Sequence, residues 1–180
     1  KLPNTKIKLL QKLLSKQISD FKKINKIKAV QFSIKFKSLV DKYNERKEQD
    51  ILISNVLEDF TVEIIDLIDE LKKEKKSHKD IGISFEEKSF YDILKSLTVK
   101  YDFSYPDDKL LILSKKVKKV VDDKTKYTSW NNREDIRAEL KADLIILLAE
   151  HGYPPIDRDE VYKEIFEQAE NFKKYQSNYI

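Results

Sequence analysis

The chain has 180 residues with only 2 Gly and 4 Pro, no Cys and no Met, and a net charge of +4. So few turn formers exclude a hairpin-rich or glycine-looped fold, and the absence of Cys excludes disulfides, thiolate catalysis and Cys-ligated clusters. The net charge conceals a gradient: residues 1–48 carry 14 Lys/Arg against 4 Asp/Glu (+10), residues 49–128 carry 15 against 17 (−2), and residues 129–172 carry 5 against 11 (−6).

Ile7, Leu10, Leu13, Leu14 and Ile18 recur at three and four residues, which predicts a first helix over about 5–23 with Asn4 or Thr5 as its cap. A second is expected over about 27–48, with Phe32, Phe36, Leu39, Val40 and Tyr43 on one face. The third has the clearest stripe, Ile53, Val56, Leu57, Phe60, Ile64, Leu67, Ile68 and Leu71. It runs into the Lys-rich stretch 72–79, where cations suit the negative end of the helix dipole, and Gly82 breaks the pattern. Ser84 with Glu87 three residues on is a capping-box signature for a fourth helix, Phe85 to about Leu97. The aromatic stretch Thr98–Asp107, interrupted by Pro106, reads as an ordered loop.

Asp107 or Asp108 opens a fifth helix carrying Leu110, Leu113, Val117, Val120 and Val121, and the polar stretch Asp122–Thr128 reads as the loosest connection. Asn131 with Glu134 is expected to cap a sixth helix whose apolar face is Ile136, Leu140, Leu144, Leu147 and Leu148. Gly152 suits a left-handed cap, Pro154-Pro155 forbid continuation, and Asp157 with Glu160 opens a seventh helix bearing Val161, Ile165, Ala169 and Phe172. The fold class is all-α, about seven helices with short connections. Residues 1–180 are read as a single domain with a basic helical part, 1–80, and a second helical part, 81–180. A chain that opens at Lys1 without Met reads as a piece of a longer protein. Its longest apolar run, Leu144–Ala149, is far below the ~20 residues of a membrane span.

Candidate chemistry is sparse. Phosphate-binding loops need clustered glycines so that backbone amides can reach the phosphates, whereas Gly82 and Gly152 stand far apart and each follows a helix. His78 and His151 are isolated, with no metal-ligand spacing around either. Pro106-Asp107 followed by Asp122-Asp123-Lys124 fits the P-D…[D/E]-x-K nuclease motif, in which two carboxylates hold Mg²⁺ and a Lys stabilises developing charge. That chemistry needs the acids on adjacent strands. The intervening segment is helical in its spacing, which separates the two ends by about 20 Å at 1.5 Å per residue. Tyr101, Phe103, Tyr105 and Trp130 could stack on bases, but large aromatic surfaces more often fill cores. No catalytic, cofactor-binding or metal residue is assigned.

A family resemblance supplies what these residues do not. Gly82-Ile83-Ser84-Phe85-Glu86-Glu87, running into Phe90-Tyr91-Asp92-Ile93-Leu94, resembles a segment in the C-terminal region of type I restriction enzyme R subunits. Trp130-Asn131-Asn132-Arg133-Glu134 through Leu140 is similar to that family's penultimate helix, and Tyr43-Asn44-Glu45-Arg46 to its Y-N-x-R element. His151-Gly152-Tyr153-Pro154-Pro155 with Asp159–Glu170 carries the resemblance furthest. The resemblance implies a non-catalytic helical C-terminal domain. In that family the R subunit also has an Mg²⁺-dependent nuclease and ATP-hydrolysing motor domains, so ATP and Mg²⁺ are expected outside this chain. The implied partners are the methyltransferase and specificity subunits, with DNA contacted through the whole complex, in the cytoplasm and away from any membrane. Two other readings remain: a DNA-contacting module using the basic residues 1–48, and a nuclease at Asp107, Asp122 and Lys124.

Overall fold

A computed structural model of the chain describes residues 2–49, 53–154 and 159–175. Seven α-helices follow one another: α1 (Leu2–Lys22), α2 (Lys26–Gln49), α3 (Ile53–Asp80), α4 (Phe85–Lys100), α5 (Asp107–Thr125), α6 (Glu134–Glu150) and α7 (Asp159–Tyr175). A 3-10 turn, Trp130–Asn132, precedes α6, and no described residue lies in a strand. The fold is all-α, as the periodicity requires.

The helices fall into two compact units. The first comprises residues 1–22 and 26–80, and the second residues 23–25 and 81–180. In the first unit α1, α2 and α3 each pack on the other two. The α1 stripe buries Ile7, Leu14 and Ile18, joined by Phe21, whereas Leu10 is half-buried and Leu13 exposed; the α3 stripe buries Val56, Phe60, Ile64, Leu67, Ile68 and Leu71, with Leu57 half-buried. The α2 stripe departs from expectation: Phe32 is buried, but Phe36, Leu39, Val40 and Tyr43 are half-buried. Phe36 and Val40 line an open groove between α1 and α2, so that part of the stripe is incompletely covered. Tyr43 still finds a partner, stacking on Phe60 at 4.1 Å between ring centroids.

Antiparallel α2 and α3 are joined by a ladder of ion pairs: Lys28–Glu74 (3.9 Å), Lys35–Glu70, Lys42–Glu63 (2.9 Å) and Arg46–Asp59 (3.0 Å). As one residue number rises the other falls, the relation an antiparallel helix pair imposes. Exposed pairs contribute only about 0–1 kcal/mol each, so the ladder sets register more than it adds stability.

The second unit opens as its sequence promises. Gly82 takes φ +66°, a left-handed conformation that costs glycine nothing. Ser84 Oγ accepts from the Glu87 amide while the Glu87 carboxylate accepts from the Ser84 amide, a complete capping box. Gly152 likewise takes φ +60° after α6. Three details differ from the sequence reading. Helix α4 continues through Thr98, because its C-terminal turn is closed by the Tyr101 amide on the carbonyls of Leu97 and Val99. Helix α5 runs to Thr125, so Asp122–Thr128 is not a loose connection: Lys173 on α7 donates to the carbonyls of Thr125 (3.2 Å) and Tyr127 (3.0 Å), satisfying groups the helix end leaves open. Asn131 does not cap α6; it lies inside the 3-10 turn that Ser129, at φ 55°, directs, and Arg133 is the cap residue. Asp157, expected to cap α7, lies outside the described residues.

The core of this unit is built on α6. Ile136, Leu140, Leu144, Leu147 and Leu148 are all buried, with Leu140 and Leu144 fully so. Around them pack Leu110, Leu113 and Val117 of α5, Ile165 of α7, and Trp130, each fully buried. The aromatic stretch is structural. Tyr105 Oη donates to the His151 carbonyl (2.7 Å), Tyr153 Oη donates to the Leu94 carbonyl (2.9 Å), and Phe103 and Tyr105 meet Tyr153 edge-on.

One buried cluster is ionic. Lys88 Nζ contacts both carboxylate oxygens of Asp92 at 2.7 Å, and Asn25 Nδ2 donates to Asp92 Oδ2 at 2.7 Å. The side chains of Lys88 and Asp92 are 11% and 4% exposed. Gln168 on α7 donates to the Ile24 carbonyl, so residues 24 and 25 are both held by side chains of the second unit.

Two stability contrasts follow. Leu144→Ala should cost about 2–5 kcal/mol in urea unfolding, as buried Leu truncations do; a loss below half a kcal/mol would mean its face is not the core. Asp92→Ala should cost about 3–5 kcal/mol because it strands the Lys88 ammonium in a buried site. Removing the exposed Lys95–Asp107 pair should cost less than about 1 kcal/mol. Equal losses from the buried and the exposed pair would contradict this assignment.

Candidate interaction surface

Each candidate residue for chemistry has a place in the scaffold. Asp107 begins α5 and Asp122 and Lys124 lie near its end, so the nuclease-like residues sit about 22 Å apart along one helix at 1.5 Å per residue. Each is engaged in pairing between or within helices. Asp107 accepts from Lys95 of α4, and this hydrogen bond holds its carboxyl below the ordinary range. Asp122 pairs with Lys118, which also reaches Glu86 at 2.7 Å. Lys124 bridges to Glu139 (2.8 Å) and Asp143 (3.3 Å) of α6, and its pKa is raised, chiefly by the Glu139 hydrogen bond. The structure does not bring the three together.

The two histidines also face the backbone. His151 Nδ1 lies 2.9 Å from the Leu147 carbonyl, and His78 Nδ1 lies 3.2 Å from the Lys75 carbonyl. Among the described residues no three His, Asp or Glu side chains are grouped as metal ligands. Gly82 and Gly152 follow α3 and α6 respectively, with no second glycine beside either to open a phosphate cradle. The described residues therefore do not fit ATP or Mg²⁺. Among the described residues no helix is long and apolar enough to cross a membrane.

The feature that stands out is the second face of α6. Besides its buried stripe, this helix carries Ala138, Ala142, Ile145, Ile146 and Ala149, spaced four, three, one and three residues apart. That spacing puts them on one face, and all five are exposed; Ile145 and Ile146 are 45% and 55% accessible. A solvent-facing helix surface is normally polar, so an apolar one rimmed by charge marks a contact site. Sequence reading singled out the buried stripe and passed over this one. The signal was in the run Leu144–Ala149: six consecutive apolar residues wrap well over half the circumference of a helix and cannot all face one core.

The surroundings of this face are acidic. Residues 129–172 carry net −6, and on α6 Glu134, Asp135, Glu139, Asp143 and Glu150 outnumber Arg137 and Lys141. Beside it, a groove of about 530 Å³ runs between α6 and α7, sharing Ala138 with the apolar face. Arg137 lies over the Phe166 ring and Lys141 over the Tyr162 ring, where their stems cover the aromatic walls. The face thus has an apolar centre and an acidic rim.

Comparison with known proteins places the chain in a family. A family profile described as type I restriction enzyme HindI endonuclease subunit-like, C-terminal, matches residues 1–175, and the chain belongs to that family. A relative from Methanocaldococcus jannaschii, provisionally described as the type I restriction enzyme MjaIXP endonuclease subunit, is 24% identical over 145 residues. That alignment covers 77% of this chain and 13% of the relative, so the chain spans a small fraction of the relative's length. No solved structure matches the chain.

If the dispersed acids are helix pairings, the purified 180-residue chain should show no Mg²⁺-dependent DNA cleavage and no ATP hydrolysis. Turnover that disappears in Asp107→Ala or Asp122→Ala, measured on supercoiled DNA, would contradict the placement.

Proposed function

We propose that this chain is the assembly domain of a type I restriction endonuclease subunit, docking the nuclease and ATP-dependent translocase of its parent onto the methyltransferase–specificity core. Membership of the family supplies the setting, a subunit of a restriction enzyme. The observation that carries the reading is the exposed apolar face of α6, because burying it requires another protein surface. The acidic rim calls for a partner with an apolar centre edged by basic side chains. Such charge pairing adds chiefly to association rate and to rejection of wrong partners, and it weakens with salt.

A specific interface buries roughly 1,000 Å² or more in total, beyond what two isoleucines and three alanines supply. The charged rim must therefore join the contact, while the isoleucines act as its anchors. Fragments of this kind need no chemistry of their own. Their contribution is to hold the catalytic parts of one polypeptide against the recognition machinery of another.

Calorimetry of the chain with its cognate methyltransferase–specificity complex tests this, with and without duplex DNA. Binding should occur without DNA, and Ile145→Asp/Ile146→Asp should weaken it by at least about 2 kcal/mol, roughly thirty-fold. The same variant should leave the helical circular dichroism signal intact, since neither side chain is buried. Ile112→Asp, at an exposed site on α5, should bind like the wild type. No binding by the wild-type chain, or equal binding by the double variant, would overturn the proposal.

A further inference from the structure

The cations of the first unit are unequally engaged. On the α3-facing side of α2, Lys28, Lys35, Lys42 and Arg46 are all taken up by acids of α3. On α1, Lys8, Lys12, Ser15, Ser19 and Lys22 follow one another at four, three, four and three residues, the spacing of a single helix face. All five are exposed, and among the described residues none of the three lysines makes an ion pair. The one acid of α1, Asp20, lies off this spacing. Ser15, Ser19 and Lys22 line one wall of the α1–α2 groove, about 490 Å³ in volume, and Ser33 and Lys37 of α2 line the other. Among the described residues no Asp or Glu lines that groove. The ion pairs with α3 thus take up one set of cations, while Lys8, Lys12 and Lys22 of α1 and Lys37 of α2 lie on or beside the groove outside that ladder.

We propose that this face, Lys8, Lys12 and Lys22 of α1 with Lys37 of α2, binds the phosphate backbone of duplex DNA. From Lys8 to Lys22 the helix extends about 21 Å at 1.5 Å per residue. Along a duplex axis the phosphates of one strand advance about 3.4 Å each, so that length matches about six phosphate steps. Ser15 and Ser19, interleaved with the lysines, are hydroxyl donors of the kind that fix phosphate oxygens. A single strand would call for exposed aromatic platforms. The only ring lining the groove, Phe36, is half-buried. Backbone contacts of this type carry no sequence information, so the face would hold DNA without reading it. This site lies in the first unit, whereas the proposed protein-docking face lies on α6 of the second, so either can fail without the other.

The test is fluorescence anisotropy of a labelled 20-base-pair duplex with the 180-residue chain from 50 to 200 mM KCl. Four phosphate contacts give a log K against log salt slope of about −3.6, an affinity loss of about 150-fold over that range. Lys8→Gln/Lys12→Gln/Lys22→Gln/Lys37→Gln should remove most of that slope, while Lys35→Gln/Lys42→Gln, on the ion-paired side, should keep it. Should the quadruple variant lose its helical signal, the two half-variants, Lys8→Gln/Lys12→Gln and Lys22→Gln/Lys37→Gln, should each reduce the slope by about half. Polyglutamate at equal charge concentration serves as competitor. Absence of binding at 50 mM, equal loss in both variant sets, or displacement by polyglutamate as readily as by unlabelled duplex would overturn the proposal. The last result would assign the face to an acidic protein.

Discussion

A helix that is apolar on opposite sides needs neighbours on both, and α6 is such a helix. One side is met within the chain: Leu140 and Leu144 have no solvent exposure, and α5, the Trp130 turn and α7 complete their surroundings. The rest of the second unit is arranged to hold that side. Lys124 ties α5 to α6 through Glu139 and Asp143, Lys141 ties α6 to α7 through Asp159, and Lys173 of α7 closes the C-terminal carbonyls of α5. The other side, with Ile145 and Ile146 outermost, is met by nothing among the described residues. Satisfying one face of α6 organises the fold of this unit, and satisfying the second motivates its proposed role in assembly.

The buried Lys88–Asp92–Asn25 cluster contributes differently. Ionic groups in a low-dielectric interior gain little net stability over an apolar pair of similar volume, yet breaking one is costly. Asp92 receives hydrogen bonds from both Lys88 and Asn25, so the connector at residue 25 and α4 are fixed by one carboxylate. The exposed α2–α3 ladder shows the other limit, where pairs specify register and consume charge without adding much stability. Its consequence is electrostatic: these α3 acids are engaged with α2, and Lys8, Lys12 and Lys22 of α1 lie outside the ladder.

Much of the fold could be read from the residue order because helical periodicity is strong and punctuation is rare. The Ser84–Glu87 box, the left-handed Gly82 and Gly152, the stripe of α6 and most of the stripes of α3 and α5 stand where local rules put them. Local rules failed where distant groups decided. Asp122–Thr128 looks loose by composition, but Lys173, about fifty residues on, satisfies its carbonyls. Asn131 is a good cap residue in isolation, yet the 3-10 turn that buries Trp130 takes precedence. Lys88 and Asp92, four residues apart, carry no local mark of the burial that tertiary packing gives them. The second stripe of α6 is legible in the run Leu144–Ala149, which is too long to face one core.

The proposed assembly role requires the methyltransferase–specificity complex to cover the outward side of α6. Methyl NMR of the chain with labelled isoleucine δ1 groups, titrated with that complex, observes this directly. Ile145 and Ile146 should shift or broaden on binding, while Ile136 on the buried side of the same helix and Ile93 of α4 should keep their free-state environments. Perturbation confined to other isoleucines, or spread uniformly across buried and exposed methyls alike, would contradict the account.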